Sequence, residues 1–264
     1  MDFFFSPFEM NYLWLPLIGL AVGLLASMIG GGGGFVFPPV LILLFGIPAQ
    51  IAVPTSLAAT LPICMAGAGV HYRNGTMDVR AVTVFGAAGI LGALGGALLT
   101  GMLTTEQLKS GFGLYAILLA GLMLLGKDEP LKPASDGGRL RRAVRRIPRG
   151  TFYGFAGGFI AGTFGTSGTA PVLAGLFASR TPLRLIAGTS LLIVFINTLS
   201  ALAGHVVLGV IDLSLVLMLT AGSVLGGLTG PRLTRGIKLE NREGGIKRVY
   251  ALVMLAFGIF MLVF

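Results

Sequence analysis

Residues 27–40 read SMIGGGGGFVFPPV. Five consecutive glycines, Gly30 to Gly34, interrupt a strongly apolar stretch and lead into a Pro-Pro pair. Glycine weakens a helix by roughly 1 kcal/mol per residue relative to alanine. In lipid, non-helical backbone is tolerated only where protein buries it or where it lines a cavity. The run therefore reads as the place where a membrane helix stops inside the bilayer, provided the rest of the chain is a membrane protein.

The composition says that it is. The 264 residues are 55% hydrophobic and only 11% charged, and mean hydropathy is +0.91. Apolar segments recur at 12–30, 34–47, 50–70, 81–103, 108–126, 151–165, 169–179, 183–204, 213–230 and 248–264, at the lengths that bilayer crossings require. The class is an all-α polytopic membrane protein. The first eleven residues, MDFFFSPFEMN, lack a basic region and a small-residue cleavage site, so they do not read as a signal peptide. The single cysteine, Cys64, excludes an internal disulfide and a multi-cysteine metal site, and no cofactor is implied.

Charge gives the sidedness. The stretch 127–149, KDEPLKPASDGGRLRRAVRRIPR, is polar and strongly basic and reads as a linker between two halves, 1–126 and 150–264. If the linker is cytoplasmic and the pairs of segments 1–2 and 6–7 each return to the side they came from, 18 of the 19 Lys and Arg fall on the cytoplasmic side; only Lys109 does not. Both termini are then outside. Residues 35–46 and 170–179 make helices of about 18 and 15 Å, half a crossing. Segments 1–2 and 6–7 are therefore expected to form re-entrant or broken-helix hairpins with tips inside the membrane.

The halves resemble each other. PVL at 39–41 recurs at 171–173, and TSL at 55–57 at 189–191. At an offset of 134, Pro48 matches Pro182, His71 matches His205, Gly75 matches Gly209, and Asp78 matches Asp212. Five segments per half is an odd number, so the second repeat is expected upside down relative to the first, an architecture common among secondary transporters. The glycine run then faces GTFGTSGTAP at 162–171. Both loops lead into a short helix, whose N-terminal N–H groups and dipole form an anion site. The first loop offers bare backbone at Gly31, Gly32, Gly33 and Gly34. The second, Gly165 to Thr169, adds the hydroxyls of Thr166, Ser167 and Thr169 around Gly168.

Other polar residues carry two readings each. Thr55, Ser56, Thr189 and Ser190 either line the site or bond to helix backbone. Asn197 is either a ligand-binding amide or an interhelical bond. His71 and His205 at helix ends, with Asp78 and Asp212 before the next helices, read as caps or as proton-coupling pairs. Gly92 and Gly96, and Gly222, Gly226 and Gly230, read as packing stripes. No Asp, Glu, Lys or Arg lies deep within a segment, which argues against a cation transporter or proton pump.

These motifs, the Gly-rich opening SMIGGGGGFVFPPVLILLFGIP, the TSL of the next helix and the echo GTFGTSGTAPVL with AGTSLL, resemble the TauE/SafE family of permeases over nearly the whole chain. The resemblance implies export or uptake of sulfite or small organosulfur anions across the bacterial cytoplasmic membrane. It carries over to Gly31–Gly34, Pro39, Thr55, Ser56, Gly165–Thr169, Pro171, Thr189 and Ser190. Two rivals stand beside it. Hairpin tips also build channel filters, and GTSG at 165–168 with His205 fits a rhomboid-like serine protease, although the matched first-half position is Phe35. The basic loops read as contacts for anionic lipid rather than nucleic acid, and a homodimer is a candidate assembly.

Overall fold

A computed structural model of the chain describes residues 2–7, 10–29, 34–125, 139–179, 181–208, 210–234 and 243–263. A short strand, β1 (Asp2–Phe4), and a 3₁₀ turn (Met10–Trp14) precede α1 (Leu15–Ile29). Then follow α2 (Phe37–Phe45), α3 (Ala49–Arg73), α4 (Val79–Met102) and α5 (Thr105–Leu125). The second half has α6 (Arg139–Phe164), α7 (Thr169–Ala178), α8 (Leu183–Leu208), β2 (Val210–Asp212), α9 (Leu213–Thr234) and α10 (Glu243–Val263). Each apolar segment read from the sequence is a helix. Four of them, over 49–73, 79–102, 105–125 and 184–207, are long and apolar enough to cross a bilayer. The protein is a multi-pass α-helical membrane protein.

Two local features depart from the sequence reading. The helix expected to begin at 151 begins at Arg139, with Pro148 inside it, so much of the basic stretch is the first part of α6 rather than a linker. Arginine is a good helix former, and the charges that mark this stretch as polar do not oppose helix. The second departure is the two-stranded parallel sheet, in which Asp2 pairs with Val210 and Phe4 with Asp212. Three-residue strands carry too little pattern to be read from sequence.

Small residues bring the helices together. In α4, a Cβ on Gly92 would overlap the carbonyl of Phe155, and one on Gly96 the carbonyl of Phe159, both in α6. In α9, Gly222 and Gly226 sit in the same way against the carbonyls of Pro16 and Leu20 in α1. The partners are themselves glycine-rich. Gly154 and Gly158 of α6 lie on Phe85 and Gly89, while Gly19 and Gly23 of α1 lie on Leu219 and Ser223, whose numbers are 134 higher. So α6 packs on α4, α1 packs on α9, α3 lies against α8 and α5 against α10. Between helices in lipid, association rests on van der Waals contact, which a missing side chain permits at close range. Gly92, Gly96, Gly222 and Gly226, read as parts of packing stripes, are packing surfaces.

Loops gather at two ends. At one, Gln50 donates from Nε2 to Leu103 O at 3.3 Å, Thr105 donates to Gln50 Oε1 at 2.6 Å, and Asp212 N donates to Thr55 Oγ1 at 3.3 Å. The strand β1 lies at this end, where Ser6 N meets Asp212 Oδ1 at 3.4 Å. At the other end, Asp78 N donates to Thr189 Oγ1 at 2.9 Å, and Arg149 donates to Ala178 O, the end of α7, at 2.9 Å. Arg73, Arg80, Arg149 and Arg184 lie at or near helix ends on this second side, and Lys109 near the first. Asp78 and Asp212 cap the helices that follow them, with Oδ1 accepting from Ala81 N at 3.2 Å and from Ser214 N at 3.0 Å. Both are caps, as one of their two readings had it.

Replacing Gly92 or Gly226 by leucine forces apart backbones in contact and is expected to lower stability by about 3 kcal/mol or more. Gly101→Ala and Gly121→Ala meet nothing within 4 Å and are expected to cost nothing. Thermal unfolding in detergent, read on all four variants, checks the contrast. Thr189→Val leaves the half-buried Asp78 N–H without its acceptor and is expected to cost about 0.5–1.5 kcal/mol in the same assay.

Candidate substrate site at the two hairpin tips

The second tip is built by two glycines in left-handed conformation. Gly165 (φ 68°) ends α6, with its N–H bonded to Ala161 O at 2.9 Å, and Gly168 (φ 60°) is the N-cap of α7. A Cβ on Gly165 would lie 2.6 Å from Ser56 Oγ and 2.7 Å from Val53 O; one on Gly168 would overlap the Gly157 carbonyl. Only glycine satisfies both the backbone conformation and the space.

α6 does not stop at mid-span. Its last turn lies beside Gly96 and Thr100, near the far end of α4, and the chain then doubles back so that α7 starts beside Gly157. Helix-end carbonyls in this position have no water to bond. The Thr100 hydroxyl lies 3.0 Å from Thr163 O and 3.2 Å from Gly162 O, and His205 Nε2 lies 2.7 Å from Gly162 O. Ser56 Oγ lies 3.0 Å from Gly165 O and 2.7 Å from Val53 O, so one proton serves two acceptors. These side chains terminate α6 inside the protein.

The N-terminus of α7 is treated differently. It has no side-chain cap, and Pro171 at its third position has no N–H to satisfy. α2 also lacks a side-chain cap and carries prolines at Pro38 and Pro39 in its first turn. Gly34, three residues before α2, places its missing Cβ 2.9 Å from Thr60 Oγ1 and 3.1 Å from Ser167 N. The two tips therefore touch. They do so at the twelfth of 25 residues of α3. α2 runs from this contact toward one end of the molecule and α7 toward the other. Gly31, Gly32 and Gly33 lie outside the described residues.

Aromatic rings close one flank. Phe35 of the first tip stacks on Phe112 of α5 with centroids 5.4 Å apart, and Phe164 of the second tip packs edge-on to Phe112 and stacked on Tyr115, at 5.8 and 5.7 Å. α8 forms the opposite wall. Ser190 and Asn197, seven residues apart, share a helix face. Asn197 is fully buried; its Oδ1 touches Gly89 of α4, and its Nδ2 is 3.4 Å from the Cβ position of Gly157, which is also 3.1 Å from Gly168 O. The amide thus sits beside the N-cap of α7.

Four buried polar side chains, one on the second tip and three on α8, have no hydrogen-bond partner among the described residues: Thr166 Oγ1, Ser190 Oγ, Thr198 Oγ1 and both amide atoms of Asn197. Native interiors rarely leave such groups unpaired. Ser167 Oγ and Thr169 Oγ1 lie 2.9 Å apart. Among the described residues the Asn197 amide makes no interhelical hydrogen bond.

The remaining candidates separate. Thr55 and Thr189 are fully buried and accept the N–H groups of Asp212 and Asp78, the backbone role among their two readings. Ser56 bonds to the opposite tip. His71 Nδ1 lies 2.9 Å from Thr76 Oγ1 near one end of α3, while His205, 3% exposed, bonds to α6; the aligned pair does not take matching partners. Ser167 and His205 bond to Thr169 and Gly162 respectively, so the geometry of a serine–histidine dyad is not formed. Thr60, Thr100 and Thr163, which hold the tips, carried no motif. The signal that could have found them is their helical spacing: Thr60 is one turn beyond Ser56, and Thr163 sits two residues before Gly165.

A family model described as "Sulfite exporter TauE/SafE" matches residues 15–261. The chain is 25% identical over 251 residues to the Bacillus subtilis (strain 168) protein named probable membrane transporter protein YunE, a match covering 88% of this chain and 91% of that protein. It is 29% identical over 224 residues to probable membrane transporter protein YdhB of the same strain, covering 83% and 88%. It is also 29% identical over 252 residues to a probable membrane transporter protein of Xylella fastidiosa (strain Temecula1), covering 93% and 91%. No solved structure matches. With ten apolar helices among the described residues and a match across nearly its whole length, the chain belongs to the TauE/SafE family.

Proposed function

We propose that the protein is a secondary transporter for a small anion, sulfite or a small organosulfonate, in the bacterial cytoplasmic membrane. The anion sits between the tips, on the start of α7 and the hydroxyls of Thr166, Ser167 and Thr169, with Ser190 and Asn197 opposite and the first tip, Gly31–Gly34, completing the cradle. The observation that carries this reading is the set of buried, unpartnered donors at Thr166, Ser190 and Asn197 beside an uncapped helix start. A buried donor without an acceptor costs about 1–3 kcal/mol. An anion removes that cost and gains from the helix dipole.

Two repeats of opposite orientation account for the crossed packing of α1 on α9 and α6 on α4. They also account for the paired bonds Asp78 N to Thr189 and Asp212 N to Thr55, both related by 134 residues. The two halves rock against each other around the tips to alternate access. The arginine-bearing end is cytoplasmic and contacts anionic lipid, and both termini are outside. The chain's relatives, named probable membrane transporters, agree with transport as the activity.

The site makes an unusual signature. Asn197→Leu removes two unpaired buried polar atoms at similar volume, so the ligand-free protein is expected to unfold at the same or a higher temperature. Sulfite or methanesulfonate affinity is expected to fall by about tenfold or more. Ser190→Ala and Thr166→Val are expected to behave alike. Calorimetric titration and thermal unfolding of purified protein read both quantities, and unchanged affinity in all three variants refutes the site. Saturable uptake into proteoliposomes supports a carrier; a linear, unsaturable conductance overturns it.

A further inference from the structure

We infer that the site accepts only singly charged anions, so that an acid whose second proton leaves near neutral pH is carried in its protonated, monovalent form. This rests on the anion site proposed above and concerns the charge state it selects. α2 and α7 begin three and two residues beyond the contact of Gly34 with Ser167, and neither has a side-chain cap. Each helix start carries about half an elementary positive charge. Two together offset about one negative charge.

Among the described residues nothing else adds a formal charge there. The polar groups with no partner, Thr166, Ser190 and Asn197, are neutral. α2 and α7 contain no titratable residue. α3 brings Cys64 in its core and Tyr72, His71 and Arg73 at its far end, with His71 on Thr76. α4 brings Arg80, beside its cap Asp78, at its start; α5 brings Tyr115 against Phe35 and Phe164, with Glu106 and Lys109 in its first turns. α6 brings arginines through Arg149, which holds Ala178 O, and then Tyr153. α8 brings Arg184 at its start and His205, committed to Gly162 O. α10, against α2, brings Glu243, Lys247, Arg248 and Tyr250 in its first half. A second negative charge between the tips would be buried without a counter-charge, which is strongly unfavourable in a medium this apolar.

Asn197 adds a neutral donor. Its Nδ2, beside Gly157 and the N-cap of α7, has no partner among the described residues and suits an anionic oxygen, while its Oδ1 is packed against Gly89 of α4. The substrate then carries its own proton across, with no titrating residue in the pathway.

The test is calorimetric titration of the purified full chain with three probes, from mildly acid to mildly alkaline pH. Methanesulfonate is monovalent throughout, sulfate divalent throughout, and sulfite changes from one to the other. The expected result is a flat methanesulfonate affinity, no measurable sulfate binding, and a sulfite affinity that falls about tenfold per pH unit once its second proton is lost, as the competent fraction falls. Sulfate binding as tight as methanesulfonate, or a flat sulfite affinity, overturns the inference while leaving the anion site standing. A methanesulfonate affinity that falls in parallel with sulfite also overturns it, because the titrating group is then on the protein. Binding of none of the three refutes the anion site and the inference with it.

Discussion

A helix that ends inside an apolar medium exposes four carbonyls or four N–H groups with no water to receive them. That constraint organises this molecule. At the C-terminus of α6 the protein supplies the partners itself, from Thr100 on α4, His205 on α8 and the turn at Gly165. At the N-terminus of α7, a few residues on, it supplies no side-chain cap. The difference in treatment separates the two ends of the hairpin, and it is the second that the proposed site uses.

The glycine packing follows from the same medium. Helices that cannot gain from expelling water against one another must gain from contact. The stripes on α4 and α9 bring backbones close enough for carbonyl oxygens to occupy the space of a side chain. That closeness holds α6 and α1 rigidly as the outer arms of the hairpins, while the tips rest on α3 and on the aromatic pair Phe112 and Tyr115. Rigid arms and a bonded tip are what a preformed site requires, since a ligand that must order its own cradle loses the cost of ordering from its affinity.

Much of the fold was legible because bilayer thickness and charge asymmetry act on long windows of sequence. Ten apolar runs became ten helices, and the described members of the basic set, Arg73, Arg80, Arg149 and Arg184, lie toward one end of the structure. α6 extends back to Arg139, ahead of its apolar segment, because a basic stretch is polar and helix-forming at once. Of the polar residues with two readings, Thr55, Thr189, Asp78 and Asp212 carry backbone bonds, and the side chains of Ser190 and Asn197 carry no hydrogen bond among the described residues. Nothing local distinguishes Thr189 from Ser190. They are neighbours on one helix, and a turn of about 100° per residue sends Thr189 toward the α3–α4 turn and Ser190 away from it.

The sequence by itself determined where helices end, because five glycines and a pair of left-handed glycine positions act on the backbone they occupy. It also determined which stretches prefer which side of a bilayer, because charge and hydropathy are properties of composition. Only the tertiary structure decided what those helix ends meet. The carbonyls of α6 find hydroxyls 62 and 63 residues away, Gly34 finds Ser167, and Asn197 finds the gap left by Gly89 and Gly157. Such meetings depend on the crossing of distant helices, and hydrogen bonds are satisfied or left open by geometry of a few tenths of an ångström, which no local pattern of residues encodes.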